Sequence, residues 1–312
     1  MKHRLVSVRY WRNYKKKEVY DMAISYEELT NKHPCYALGK KGTTGRIHLP
    51  ISPTCNIECK FCDRRINDYE KRPGVASTVI KPTEALDVIK RSLELCPDIT
   101  VAGIAGPGDT LASDYALETF RLIRDSFPDI IKCMSTNGLL LPEKADEIIE
   151  TGIDSLTVTV NAVDPEIEAK LNNGILYHGV HYKGVEAAEI LIKNQLEGIK
   201  KVSSAGITIK VNTVLVPGIN DEHIEEIAKA VSEAGASIYN IIPLIPQNEL
   251  RDCRAPSCAE IDGVRQKAGQ YIDVFRHCQR CRADAIGVPG EKDYGDQIYL
   301  KRIRQKDTFS HG

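Results

Sequence analysis

From residue 46 onward the chain repeats one rhythm: a short run rich in Val, Ile and Thr, then a longer amphipathic stretch. The runs are Arg46–Ser52, Ile99–Ile104, Ile130–Ser135, Ser155–Val160, Thr208–Val214 and Ser237–Ile242. Apolar runs of this length and β-branched content suit strands covered on both faces. Between them the pattern predicts helices over Thr83–Leu95, Tyr115–Phe127, Glu143–Thr151, Val185–Val202 and Asp221–Ala234. The first opens on Pro82-Thr83-Glu84 and carries Ala85, Val88, Ile89 and Leu93 at helical spacing. Asp221 is the expected N-cap of the last, and Gly152 and Gly235 are expected helix stops. Six strand–helix units in series predict an α/β fold with a parallel sheet. They are too few for an eight-fold barrel. Periodicity leaves a partial barrel and an open doubly wound sheet equally open.

The flanks break this rhythm. The first thirty residues are polar and aromatic with no period, and read as a flexible or partner-docking arm (1–32) ahead of a core (33–290). After residue 243, Pro243, Pro246 and Pro256 mark a loop, then a helix is expected near Ala259–Phe275. A charged tail, 291–312, offers few core residues. With 42 basic and 43 acidic residues the net charge is −1, which lacks the basic excess of a general nucleic-acid binder. No apolar run approaches membrane-spanning length, and the basic start lacks the apolar stretch of a signal peptide. The expectation is a cytoplasmic chain with no membrane or nucleic-acid partner. Its ten cysteines then point to metal binding or redox chemistry, because a reducing compartment disfavours disulfides.

Cys55-Asn-Ile-Glu-Cys59-Lys-Phe-Cys62 carries the strongest chemistry. It follows the first predicted strand, on the strand edge where α/β barrels place their active sites. Three thiolates on one short loop can hold three irons of a cubane, which leaves the fourth iron open. The amino and carboxylate groups of S-adenosylmethionine can chelate that iron, and an electron from the cluster then cleaves the sulfonium to a 5′-deoxyadenosyl radical. The plain alternative is structural zinc, which usually takes four ligands in paired spacing. Two further loops end predicted strands. Gly106-Pro107-Gly108-Asp109 lets backbone approach a ligand closely, and Ser135-Thr136-Asn137-Gly138 and Asn212 put polar groups on the same edge. Each alone could be an ordinary turn or strand end.

Cys278-Gln-Arg-Cys281 has no second pair nearby, so its thiolates need ligands from elsewhere. Cys35, Cys133 and His48 are available, although each singly reads as a packed residue. Cys96 reads as packing, and Cys253 and Cys258 gain no role from their spacing.

Phe61 before the last cysteine of the loop is similar to the radical S-adenosylmethionine superfamily. A narrower resemblance runs from about His33 to Glu291. His33-Pro34-Cys35-Tyr36, the Cys55–Cys62 motif, Glu70-Lys-Arg-Pro-Gly-Val75, Gly103–Asp109, Ser135–Gly138, Val211-Asn-Thr213 with Pro217–Asp221, and Cys278-Gln-Arg-Cys281-Arg-Ala-Asp-Ala285 resemble the NifB family of nitrogenase cofactor assembly. That resemblance implies a partial TIM barrel, (β/α)6, with N- and C-terminal extensions. It implies a [4Fe–4S] cluster on Cys55, Cys59 and Cys62 with S-adenosylmethionine held by the Gly106–Asp109, Ser135, Asn137 and Asn212 loops. It further implies two [4Fe–4S] substrate clusters on Cys35, Cys133, Cys278 and Cys281, with His48 and Glu70 as labile or catalytic groups. These would be fused with an added sulfur and a carbide from S-adenosylmethionine into an 8Fe–9S–C precursor. The partners implied are an electron donor such as ferredoxin or flavodoxin, an iron–sulfur cluster donor and a cofactor carrier, since the chain is similar to the short form without a NifX-like domain. Other radical enzymes with auxiliary clusters, and a non-catalytic iron–sulfur carrier, are the rival expectations.

Overall fold

The computed structural model describes residues 24–38 and 43–299. Eight strands form one sheet: β1 Gly45–His48, β2 Ile99–Ile104, β3 Ile131–Thr136, β4 Ser155–Thr159, β5 Thr208–Leu215, β6 Ile238–Pro243, β7 Asp273–Val274 and β8 Ile286–Gly287. Their order is β7-β6-β5-β4-β3-β2-β1-β8. Neighbours from β1 to β7 run parallel, and β8 alone runs antiparallel, pairing Arg46 with Gly287 and Ile47 with Ile286. The sheet does not close on itself, so the fold is the partial barrel and not the full one.

Strand pleating sends alternate residues to opposite faces. Ile47, Ala102, Met134, Leu156, Val158, Ile209, Val211, Tyr239 and Ile241 are fully buried in the core between the sheet and its helices. The helices Ala85–Leu95, Tyr115–Ser126, Leu141–Glu150, Gly184–Ser203 and Ile224–Glu233 lie in the order expected. Gly152 and Gly235 end two of them with φ of 68° and 104°, the left-handed geometry glycine adopts freely.

Several expectations are corrected. Asp221 does not cap the helix: 221–223 form a 3-10 turn, the helix starts at Ile224, and the Asp221 carboxylate instead accepts from Gly218 N at 2.8 Å. The helix expected over 259–275 ends at Ala268, and Asp273–Val274 leaves it to become edge strand β7. Beyond β4 comes a helix, Pro165–Leu171, capped by the Asp164 carboxylate, and a hairpin, Asn172–Tyr177 with Val180–Lys183. That hairpin adds to Ile57–Cys59, a short strand inside the cysteine loop itself. Within the arm, Tyr26–Lys32 is a helix capped by Ser25, and its Leu29 is fully buried with Tyr36, Val101, Ile131, Ile238 and Phe275. This cluster plugs the end of the barrel at which the strands begin. Ile298 and Tyr299 of the tail are also buried, and the Tyr299 hydroxyl donates to the His48 carbonyl at 2.7 Å. The rest of the arm and tail, 1–23 and 300–312, lies outside the described residues.

One ion pair is built into the sheet. Lys132 and Asp154 are both largely buried, with Nζ 2.9 Å from Oδ2, and the same carboxylate accepts from Lys132 N at 2.7 Å. Asp154→Ala leaves the lysine buried without its partner and is expected to destabilise the fold by about 3–5 kcal/mol. A urea midpoint within error of the parent protein would refute this.

Candidate functional site

The face of the sheet turned away from the helices is unlike the interior of an ordinary α/β barrel. Branched apolar side chains usually fill that space. Here Arg46 and His48, Cys133 and Ser135, Thr157 and Thr159, Lys210 and Asn212, and Asn240 occupy alternating inward positions on β1, β3, β4, β5 and β6. They line a cavity of about 330 Å³. Its remaining wall is the C-terminal run, with Cys278 and Cys281, together with Cys35 from the N-terminal side and Phe61 and Cys62 from the cysteine loop. The fold thus brings Cys35, Cys62, Cys133, Cys278, Cys281, His48, Ser135 and Asn212 to one space.

The loop of Cys55, Cys59 and Cys62 is held from two sides. Gly108 N donates to Ser52 O at 2.6 Å and Asp109 N to Thr54 O at 2.7 Å, so the Gly106–Asp109 turn is stitched along the start of the loop. A Cβ on Gly108 would lie 1.9 Å from Thr54 O, so only glycine fits. The buried Asp109 carboxylate is taken up by Leu111 N, the Thr136 hydroxyl and Asn137 N. It therefore fixes the Ser135–Gly138 loop. Asn137 in turn donates to Asn56 Oδ1 at 2.7 Å and lies 3.9 Å from Cys55 Sγ. Behind them Gln195 donates to the Asn137 and Thr159 carbonyls.

Burial sets the electrostatics of the thiols. It raises Cys55, pushes Cys59 well above the usual range and lifts Cys62 to about 11, while the Arg64 guanidinium draws all three back down. Such thiols stay protonated and neutral until a metal takes the place of their protons. Cys55, Cys59 and Cys62 put three thiols on one short loop, one fewer than structural zinc usually takes and as many as a cubane with one open iron needs, since it spreads its thiolates over separate irons. The chemistry of this donor set therefore fits the radical-generating cluster.

In the second thiol set burial lifts Cys133 to about 11 and raises Cys281 as well. His48 is lowered to about 4, first by burial and then by Arg46. Its ring is neutral, and Nδ1 faces the Arg282 carbonyl at 2.7 Å, so Nδ1 carries the proton and the Nε2 lone pair is left for a ligand. Arg282 and Asp284 form a buried ion pair at 2.8 Å, and Arg282 also donates to the carbonyls of Asn67 and Glu70 while Asp284 accepts from Ser77 N. This pair docks the C-terminal cysteines against the loop that follows Cys62. Glu70 stands apart: its carboxylate is paired with Arg72 at 2.5 Å and does not line the cavity. Gly106, Pro107, Gly108, Asp109 and Asn137 likewise lie behind the cysteine loop and not on the cavity wall.

Sequence reasoning missed His33, Arg46, Lys210 and Asn240, all on the cavity wall, and Glu168. Glu168 is buried beside the loop, where its charge raises Cys59, and burial raises its own carboxyl to about 8. A signal for the strand residues existed: Arg46 with His48, and Lys210 with Asn212, repeat at period two inside otherwise apolar strands.

Residues 49–231 match the Radical SAM superfamily. The chain is 44% identical over 284 residues to the FeMo cofactor biosynthesis protein NifB of Methanocaldococcus infernus, covering 90% of this chain and 94% of that one. It is 40% identical over 267 residues to the protein of the same name from Klebsiella pneumoniae, covering 83% of this chain and 57% of that one. Among solved structures, a radical SAM methyltransferase from Sphaerobacter thermophilus superposes with a TM-score of 0.54 at 16% identity, covering 73% of this chain and 64% of that one. Streptococcus suis SuiB bound to precursor peptide SuiA gives 0.54 at 13% identity, covering 73% and 48%. At those identities the two structures share the fold alone.

Proposed function

Since the chain belongs to the radical SAM superfamily and within it to the NifB family, we propose that it acts in FeMo-cofactor biosynthesis by fusing two [4Fe–4S] substrate clusters into an 8Fe–9S–C precursor. The observation that carries this reading is one cavity lined by five thiols, one of them Cys62 of the radical loop. The [4Fe–4S] cluster on Cys55, Cys59 and Cys62, with S-adenosylmethionine, supplies the electron, the radical and the methyl carbon. The protein's own residues do the rest. Cys35, Cys133, Cys278 and Cys281 anchor the substrate clusters beside that loop. His48 offers a neutral nitrogen, a weaker anchor than thiolate, which suits clusters that must detach and join. The Asp109–Asn137–Asn56 chain holds the cysteine loop in place, and the Arg282–Asp284 pair holds the cavity's far wall. Glu70, paired with Arg72, is a proton-handling group only if that pair opens.

No described helix is long and apolar enough to cross a membrane. We place the reaction in a reducing cytoplasm, with a low-potential electron donor such as ferredoxin or flavodoxin, a donor of iron–sulfur clusters and a carrier for the product.

Anaerobic reconstitution tests the reading. About twelve irons per chain, as three cubanes, are expected, and dithionite with S-adenosylmethionine should yield both 5′-deoxyadenosine and S-adenosylhomocysteine. About four irons, or 5′-deoxyadenosine without S-adenosylhomocysteine, overturns it.

A further inference from the structure

The cavity contains two buried cations that the chemistry above does not use. Lys210 on β5 is 6% exposed; its ammonium donates to the Cys35 carbonyl at 3.3 Å and stands 5.2 Å from the Tyr36 ring centre and 5.3 Å from that of Phe275. Arg46 on β1 is 5% exposed; it donates to the Gly287 carbonyl and, through Nη2, to Cys281 Sγ at 3.1 Å, while its Nε–H has no partner. Among the described residues neither cation forms an ion pair with a carboxylate. His33 adds a third donor. Its Nδ1 accepts from Cys35 N at 3.1 Å, so the proton sits on Nε2, which is buried and unpartnered. All three residues line the same cavity.

A buried charge without a counter-ion is costly, and folds keep one only where something compensates it. The aromatic rings compensate Lys210 in part. The remaining demand is for an anion, and the neighbours say which. Arg46 touches the Cys281 thiol and Lys210 lies over the peptide of Cys35. A free phosphate would face these sulfurs as they become thiolates and be repelled. A cluster that takes them as ligands would carry their negative charge to the cations.

We propose that Lys210, Arg46 and the Nε2–H of His33 form a cationic floor that receives the sulfide and thiolate sulfur of an anionic iron–sulfur cluster, with Lys210 as a positioning residue. This rests on the assembly function above and adds how its substrate is held. A positive charge beside a cluster favours the reduced, more negative form, so Lys210 raises that cluster's potential. It also slows cluster loss while leaving the metal ligands free to exchange.

The test uses the reconstituted full chain carrying Cys59→Ala, which removes the radical-generating cluster from view, with and without Lys210→Met and Lys210→Arg. Iron retention under chelator and midpoint potentials followed by electron paramagnetic resonance are the readouts. Lys210→Met is expected to lose iron several-fold faster and to lower the potential of one cluster, and Lys210→Arg to restore both. Unchanged retention and potential in Lys210→Met overturn the inference and leave the assembly function standing. So does a Lys210→Arg variant that loses iron as Lys210→Met does, since packing and not charge would then be at work. A parent chain, with Cys59 intact, that binds only about four irons overturns the assembly function and this inference with it.

Discussion

Cys59→Ala is expected to abolish 5′-deoxyadenosine formation and to lower the iron content by about four per chain, one cubane's worth. Cys59 sits in the short strand Ile57–Cys59, where it pairs with Asn172 of the hairpin, so its position is set by backbone and not by the metal. Removing its thiol leaves two ligands for a cluster that must keep one iron open. The four cavity thiols outside the loop, Cys35, Cys133, Cys278 and Cys281, are untouched by the change, so the substrate clusters and their spectra should remain. Continued formation of 5′-deoxyadenosine in this variant would show that the radical-generating cluster is held elsewhere.

The second large effect needs no change to any ligand. Gly108→Ala places a methyl 1.9 Å from Thr54 O and 2.5 Å from Thr54 C. Both are backbone atoms, so no side-chain rotation relieves the overlap. Either the Gly106–Asp109 turn or the start of the cysteine loop must move, at a cost of about 1–3 kcal/mol or more. Loss of at least tenfold in S-adenosylmethionine cleavage is expected, which corresponds to about 1.4 kcal/mol of misplacement. Gly263→Ala is the control. That glycine lies in the helix Cys258–Ala268 with nothing within 4 Å of a new Cβ, and its replacement should stabilise the chain by about 0.5–1 kcal/mol. Equal cleavage rates in the two variants would mean that the turn does not position the loop.

Much of this was legible in the sequence, for physical reasons that differ along the chain. Ile99–Ile104 is legible to the residue because a buried parallel strand leaves a short, mostly apolar run rich in β-branched residues. The hairpin after β4 is not, because Asn172-Asn173-Gly174 has turn composition and its pairing partner, Ile57, lies more than a hundred residues away. Asp221 misled because a good capping residue can serve the turn before a helix as well as the helix. In the site, cysteine spacing announced the radical loop, and family resemblance gathered Cys35, Cys133, Cys278 and Cys281, which the fold does bring to one cavity. Asp109 was expected to meet a ligand, yet its carboxylate is occupied by three backbone and hydroxyl donors. Lys210 and Arg46 go unread because charged residues are normally assigned to surfaces, and the curved, open sheet turns their period-two positions to its inner face.

The antiparallel pairing of β8 with β1 joins Arg46 to Gly287, two residues almost at opposite ends of the described chain. Two adjoining parts of the cavity wall, Arg46 and Cys281, are therefore made early in synthesis and nearly last. A ribosome-bound chain can finish the Cys55 loop, β2 and β3 long before Cys278 and Cys281 emerge. The cavity is in this way completed late in the life of the polypeptide, and a chain truncated before residue 278 lacks both the Cys278 and Cys281 thiols and the Arg282–Asp284 pair that docks against the loop after Cys62.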